Sequence, residues 1–106
     1  MSFLYIAQVS IPVEHEAEFN RLYDDEHIPS LLEVPGVNSA QRYKLEWGDE
    51  GVPQYLAVYS VATADLPKTA AWRAASDKGD WSVKIRPHLS VSRHGMFRQC
   101  PDLETK

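Results

Sequence analysis

The repeat of apolar side chains changes along the chain between a two-residue and a 3.6-residue period. Residues 3–11 are rich in β-branched and aromatic side chains, which predicts a first strand that Pro12 ends. Between residues 13 and 27 the apolar positions recur at helical spacing, with Phe19, Leu22 and Tyr23 on one stripe. This pattern predicts an amphipathic helix whose opposite face carries charged side chains.

Two prolines interrupt the segment that follows. Because the residue before a proline avoids helical backbone angles, we expect Ile28 to lie outside the regular helix and Pro29 to stop it. Residues 30–33 predict one more short turn, and Pro35-Gly36 predicts the turn into the next strand. His27 is therefore expected at a helix end.

Alternation and turn residues define the rest of the chain. The predicted elements are strands at 37–47, 54–62 and 88–98, a helix that Asp65 caps and that runs to about residue 76, where Gly79 ends it, and a short helical turn within 80–86. The order β-α-β-β-α-β predicts an α+β, ferredoxin-like domain: a four-stranded antiparallel sheet with two helices on one face. We expect a single domain over residues 1–100 and a C-terminal tail at 101–106.

Composition narrows the class of protein. The chain has 106 residues and a net charge of −4, which argues against nucleic acid or an anionic membrane as partner. The single cysteine permits no intramolecular disulfide, and Gln8 and Ser10 break the first apolar stretch, which is too short to span a membrane. These features predict a soluble cytoplasmic protein.

The predicted helices leave one face of the sheet uncovered. No segment of the chain remains to cover it, so burial against a second copy is the simplest solution. At about 25 cal/mol per Å² of apolar surface, several hundred Å² would stabilise such a homodimer by many kcal/mol before the cost of association.

Several short segments together resemble the dimeric α+β barrel superfamily, and within it the EthD-like proteins, named for ethyl tert-butyl ether degradation. They are Tyr-Asp-Asp-Glu-His-Ile-Pro-Ser-Leu-Leu at 23–32, Val-Pro-Gly-Val at 34–37, Arg42-Tyr43, Tyr55-Leu56-Ala57, and the later Trp72, Trp81 and Arg86-Pro87. The resemblance covers nearly the whole chain. It implies a homodimer whose sheets pack face to face, with a ligand pocket in each subunit between sheet and helices. The superfamily includes isomerases, cyclases and cofactor-free and haem-degrading oxygenases, so the fold by itself fixes no reaction.

His27 is the main candidate for chemistry. It shares a helix stripe with Phe19 and Tyr23 and should point towards the sheet, where an imidazole that titrates near neutral pH could act as an acid or base. The alternative is a structural histidine that caps carbonyl groups or pairs with Asp24 or Glu26. Tyr23, four residues earlier, could share a ligand with His27, or it could be a core tyrosine.

The remaining candidates are substrate-binding residues. Arg42 is either a salt-bridge partner of Asp24 or Glu26, the favoured interpretation, or a clamp for an anion. His15 and His94 are interpreted as surface residues. Tyr5, Tyr55 and Tyr59 could reach a pocket from the sheet. The predicted binding residues are Gln8, Arg42, Tyr55, Trp72, Trp81, Arg86 and His88.

No metal site and no cofactor is predicted. Residues 24–27 are adjacent on a helix, so their side chains point in different directions and do not converge on an ion.

Three functions remain open at this point. The first is a cofactor-independent acid/base enzyme, an isomerase, lyase, cyclase or decarboxylase, acting on a small aromatic, lactone or polyketide-like molecule in a catabolic or secondary-metabolic pathway. The second is a non-catalytic binder of a small hydrophobic or aromatic ligand, or an accessory protein of an oxygenase system. The third is a structural dimer module whose own aromatic rings fill the pocket.

Overall fold

The computed structural model describes residues 3–100, and the predicted tail at 101–106 lies outside the described residues. The strands are β1 (Phe3–Ser10), β2 (Val37–Lys44), β3 (Tyr55–Val61) and β4 (Val91–Arg98). The α-helices are α1 (Val13–Leu22), α2 (Ile28–Leu32) and α3 (Ala70–Ser76). Two π-helical turns, Tyr23–His27 and Trp81–Ile85, and two 3₁₀ turns, Leu66–Lys68 and Arg86–His88, complete the helical segments.

The four strands form one antiparallel sheet in the order β2-β3-β1-β4. The fold class is therefore the predicted α+β ferredoxin-like fold, with β1 and β3 as the inner pair. Tyr5 lies opposite Tyr59 and Ala7 opposite Ala57, so the odd-numbered residues of both inner strands share one face. The helices cover that face, and the largest fully buried side chains, including Tyr59, Phe19 and Leu31, belong to the core beneath them.

The expectation that Pro29 stops the first helix is wrong. The first helical segment runs without interruption from Val13 to Leu32. Ile28 has φ −63° and ψ −47°, which is ordinary right-handed helix, and α2 runs through the proline. The physical reason is the π-helical turn before it, in which the backbone N–H of Ile28 bonds to the carbonyl of Tyr23, five residues back. Proline lacks the backbone N–H that an α-helix would need. The wider π-helical turn changes which carbonyl lies above the proline ring.

The second helical segment comprises the helical elements between Leu66 and His88. Their boundaries also differ from the prediction. Asp65 makes no side-chain cap; the Thr69 hydroxyl instead accepts a hydrogen bond from the backbone N–H of Trp72 and begins α3. A π-helical turn again precedes a proline, Pro87. β4 starts three residues later than predicted, so His88 lies in the 3₁₀ turn rather than on the strand.

Glu26 links the two helical segments. Its carboxylate accepts a hydrogen bond of 2.7 Å from the backbone N–H of Trp81, at the start of the second π-helical turn. A carboxylate is stabilised at that position because the first N–H groups of a helical segment have no partner within it. Gly79, with φ +76°, lets the chain pass close to Glu26, since a Cβ there would lie 2.6 Å from the carboxylate.

The second face of the sheet carries apolar side chains that no helix of the described chain covers. Leu4, Tyr43 and Phe97 are about half exposed there, beside the half-buried Ile6 and Val58. In the described residues, no helix combines the length and apolar character needed to cross a bilayer.

The contact between Gly79 and Glu26 predicts an unusually costly glycine substitution. In Gly79→Ala, the left-handed backbone costs about 1–2 kcal/mol, and displacement of Glu26 leaves the Trp81 N–H unpaired at a further cost of about 1–3 kcal/mol. Gly51→Ala is the matched control, because Gly51 has φ +92° but no atom within 4 Å of its Cβ position. Urea unfolding should show the larger loss in Gly79→Ala; equal losses would contradict the proposed role of Glu26.

Candidate functional site

A cavity of about 300 Å³ lies between the helix-covered face of the sheet and the helical segments. It is open at one side. Of the predicted site residues it brings together His27, Tyr23, Trp72, Trp81 and Arg86. The rest of its wall consists of Tyr5, Ala7, Val9, Leu31, Tyr59, Pro67, Arg73, Ser76, Asp77, Leu89, Ser92 and His94.

The π-helical turn directs both Tyr23 and His27 towards the sheet. These residues open and close the five-residue turn, and both are buried. Their rings meet edge to face, with centroids 5.1 Å apart. The stripe that begins with Phe19 therefore continues to His27, as the spacing in the sequence predicts.

His27 is held by aromatic rings rather than by hydrogen bonds. Its imidazole stacks on the Trp81 ring at a centroid distance of 4.4 Å, and its Nδ1 atom is buried with no partner among the described residues. The two carboxylates proposed as partners are engaged elsewhere, because Asp24 accepts from Arg42 and Glu26 from the Trp81 backbone. His27 thus retains hydrogen-bonding capacity that the protein does not use.

The surroundings of His27 favour the neutral imidazole. Burial lowers the pKa of His27 from 6.5 to about 3, and the positive charges of Arg86 and of His94 when protonated act in the same direction. At neutral pH His27 is therefore an uncharged group with one protonated and one unprotonated ring nitrogen.

Two buried phenols face the cavity beside it. The hydroxyls of Tyr23 and Tyr59 are 3.2 Å apart and share a hydrogen bond. Burial raises the pKa of Tyr23, and it raises the pKa of Tyr59 further. Both phenols stay protonated at neutral pH, so one proton serves the bond between them and the other can serve a ligand.

The sheet supplies the opposite wall. Tyr5 stacks on His94 with centroids 5.7 Å apart and meets Trp72 edge to face at 5.4 Å. His94 is exposed on β4 but turned towards the cavity, and burial of part of its ring lowers its pKa. The interpretation of His94 as a simple surface residue missed this position, because the register that brings it beside Tyr5 is set by the pairing of β1 with β4.

Arg86 lies at the open side of the cavity. Its guanidinium donates to Asp77 Oδ1 at 2.6 Å and to the carbonyl and hydroxyl of Ser76 at 2.7 and 3.0 Å. These contacts hold the side chain in place although it is 41% exposed. Asp77 and Ser76 carry no motif that would have identified them from the sequence.

Arg42 and Tyr55 are not part of this cavity. Arg42 donates to Asp24 Oδ1 and Asn20 Oδ1, both at 2.7 Å, and its guanidinium lies over the Tyr23 ring at 4.5 Å. The contact with Asp24 agrees with the salt-bridge interpretation. Arg42 and Tyr55 line a separate, more open depression between α1 and the edge strand β2.

Gln8 and His88 also lie elsewhere. Gln8 is paired between Leu56 and Arg93 on the face of the sheet that the helices leave uncovered. His88 stacks on His15 with centroids 4.0 Å apart. The alternation that predicts β1 and β3 could have separated Gln8 from the tyrosines, since even- and odd-numbered residues of β1 face opposite sides.

Within residues 3–100, no group of three or more histidine, cysteine, aspartate or glutamate side chains is placed to hold a metal ion. The cavity wall offers a ligand neutral imidazole, phenol and indole groups with one arginine at the opening. This set can bind an aromatic molecule, donate hydrogen bonds to its oxygens and accept a proton from it.

The lowered pKa of His27 predicts a pH-dependent stability. The unfolded chain takes up a proton near pH 6.5 and the folded chain only near pH 3, so the stability that His27 contributes is complete above pH 6.5 and is lost as the pH falls towards 3. Between pH 7 and 5 the wild type should lose about 2 kcal/mol more than His27→Gln. Urea unfolding measures the difference, and NMR of the imidazole checks that the ring stays neutral at pH 5. Titration near 6.5 would contradict it.

No family model matches the chain, and no curated protein is similar enough in sequence to count as a relative. Solved structures do match. An ethyl tert-butyl ether degradation family protein from Bacillus halodurans is 15% identical with a TM-score of 0.68, over 94% of this chain and 100% of the other. SnoaB, a cofactor-independent oxygenase from Streptomyces nogalater, is 16% identical with a TM-score of 0.62, over 92% of each chain.

A dimeric ferredoxin-like protein of unknown function from Thermobifida fusca is 15% identical with a TM-score of 0.61, over 93% of this chain and 92% of the other. Such low identities establish a shared architecture and not a shared activity. The chain therefore has the ferredoxin-like α+β fold that the dimeric α+β barrel proteins share.

Proposed function

We propose that the protein binds a small aromatic, lactone or polyketide-like molecule in the cavity beside His27 and transfers a proton on it without a cofactor. The reaction would be of the isomerase, lyase, cyclase or decarboxylase type, in a catabolic or secondary-metabolic pathway. The observation that supports this most strongly is the buried, neutral and unpaired imidazole of His27 in a cavity walled by aromatic rings.

His27 has the role of proton acceptor in this proposal. An unprotonated ring nitrogen is available at neutral pH because burial suppresses the imidazolium. An imidazolium in the empty cavity would be unstable, but the negative charge that develops on a substrate losing its proton would stabilise it. Proton transfer is thereby coupled to the presence of the substrate.

The phenols would stabilise the oxygen on which that charge collects, and Arg86 would orient a carbonyl or carboxylate of the substrate. Tyr23 and Tyr59 together hold one phenolic proton that their mutual bond does not use. Arg86 adds a fixed positive charge at the opening. Hydrogen bonds to a developing oxyanion in a site shielded from water are a large source of rate enhancement.

Hydrogen–deuterium exchange tests the role of His27 without knowledge of the natural substrate. With 2-tetralone, an enolisable aromatic ketone, in D₂O, the wild type should accelerate exchange at the carbon next to the carbonyl. His27→Gln should reduce the acceleration about 10²- to 10⁴-fold, the usual contribution of general acid–base catalysis. Mass spectrometry or NMR of the ketone measures the rate.

His15→Gln is the control for this substitution, because His15 lies outside the cavity wall and stacks on His88. It should exchange the ketone at the wild-type rate. A folded His27→Gln variant that exchanges as fast as the wild type would remove His27 from the mechanism.

A non-catalytic binding protein, or an accessory of an oxygenase system, is the second candidate. The same low pKa favours it, because an imidazole whose pKa lies near 3 is a weak base until a ligand alters its surroundings. A ligand that binds tightly beside His27 and is recovered unchanged would select this function. The third candidate, a structural module filled by its own aromatic rings, is disfavoured by the open volume of about 300 Å³.

A homodimer formed through the uncovered face of the sheet is part of the proposal. Leu4, Ile6, Val58 and Phe97 present apolar surface there, and the Thermobifida fusca protein of this fold is dimeric. Two copies packed face to face would bury this apolar surface.

The single cysteine, Cys100, is exposed and free, which suits a reducing compartment, and we propose a cytoplasmic location.

Val58→Lys tests the dimer. Val58 lies opposite Ile6 at the centre of the uncovered face, so a lysine there would place two charges within the proposed interface. Light scattering should give twice the mass of one chain for the wild type and a single-chain mass for the variant. The control is Val83→Lys, since Val83 is 72% exposed in the second π-helical turn, away from the sheet. A monomeric wild type would refute the dimer.

A further inference from the structure

The cavity wall has a charge opposite in sign to that of the whole protein. The chain carries a net −4, yet the charged residues of the wall are Arg73, Arg86 and Asp77. Two guanidinium groups against one carboxylate give this region a net positive charge. Because the histidines of the wall are neutral at pH 7, the excess resides on the arginines.

Arg86 is the better placed of the two. It is fixed by one hydrogen bond to Asp77 and two to Ser76. A guanidinium has five N–H groups, so these three bonds leave two for another acceptor. The free donors are the Nε–H and one N–H of Nη1, because both Nη2 hydrogens bond to Ser76. A fixed guanidinium with these spare donors can attract a carboxylate through its charge and donate single hydrogen bonds to it.

The groups facing this arginine do not repel an anion. His27 and His94 are uncharged, and the phenols are protonated. Asp77 is the one carboxylate in the wall, and it is already paired with Arg86. The titratable and charged groups around the cavity are Tyr5, Tyr23, His27, Tyr59, Arg73, Asp77, Arg86 and His94.

The aromatic part of the wall is continuous with the arginine. Trp81 and Arg86 belong to consecutive helical turns, and Trp81 stacks on His27. Trp72 and Tyr5 form the facing side. A volume of about 300 Å³ is sufficient for a small aromatic molecule.

We propose that the ligand of this cavity is a small aromatic or conjugated carboxylate, with its carboxylate on Arg86 at the opening and its ring against the Trp81–His27 stack. The inference rests on the proposed function, since it names the ligand class for the same cavity. Recognition then depends on the negative charge of the ligand. Arg86 binds the carboxylate, and Asp77 partly offsets the positive charge of Arg86.

Benzoate and benzamide test this directly, because they share a ring and differ in charge. At constant low ionic strength, calorimetry should show benzoate binding at least about tenfold more tightly than benzamide. NMR should locate it by shifts of the Trp81 indole and His27 ring signals. Equal affinities, or benzoate binding that leaves those signals unchanged, would overturn the inference.

Two substitutions should act in opposite directions. Arg86→Gln should weaken benzoate about tenfold to a hundredfold and leave benzamide nearly unchanged. Asp77→Asn keeps an oxygen to accept from Arg86 but removes the competing negative charge, so benzoate should bind about fivefold more tightly. A purely structural role for the Arg86–Asp77 pair predicts weaker binding in both variants, and that result would overturn the inference.

Arg21→Gln is the matched arginine control. Arg21 is exposed on α1 and pairs with Glu18 at 3.6 Å, so its loss changes the net charge equally without touching the cavity. Benzoate affinity should stay at the wild-type value. An effect equal to that of Arg86→Gln would mean that net charge alone controls binding, and it would refute the inference.

The two proposals fail in different ways. If benzoate binds selectively through Arg86 while His27→Gln exchanges deuterium at the wild-type rate, the ligand class holds and the proton-transfer role is lost. If exchange depends on His27 but benzamide binds as well as benzoate, the proton-transfer role holds and the anionic ligand is refuted. Absence of binding by both probes would refute the ligand class.

Discussion

The carboxylate of Glu26 accepts a hydrogen bond from the backbone N–H of Trp81, and this bond fixes the start of the second π-helical turn against the first helical segment. It places the Trp81 indole against the His27 imidazole, where the rings stack 4.4 Å apart. Gly79 allows the approach because it has no side chain to meet the carboxylate. The acidic end of the first helical segment, unfavourable for its own dipole, is thus stabilised by the start of the second.

The two π-helical turns explain how this arrangement arises in so short a chain. Each turn ends shortly before a proline, Pro29 or Pro87, and in each the next backbone N–H bonds to a carbonyl five residues earlier. The wider turn lets the first helical segment continue past its proline and directs the end of the turn inwards. His27 is consequently a buried wall residue, whereas an interrupted helix would have left it at a frayed end.

The electrostatics of the cavity follow from burial and not from ion pairs within it. Burial keeps His27 neutral and the Tyr23 and Tyr59 phenols protonated. The one fixed ion pair, between Arg86 and Asp77, lies at the opening. A ligand entering there would meet charge first and uncharged polar groups further in, a gradient that orients a molecule with one charged end.

The sequence by itself determined the βαββαβ order and the direction of the Phe19–Tyr23–His27 stripe, because these follow from local periodicity. It also indicated Trp72, Trp81 and Arg86 as cavity residues. Only the tertiary structure decided the rest: the passage of the helix through Pro29, the choice of Asp24 over Glu26 as the partner of Arg42, and the meeting of Tyr5, Tyr59 and His94 across three strands. The physical reason is that strand register and π-helical hydrogen bonding depend on contacts between residues distant in the chain, which no local pattern records.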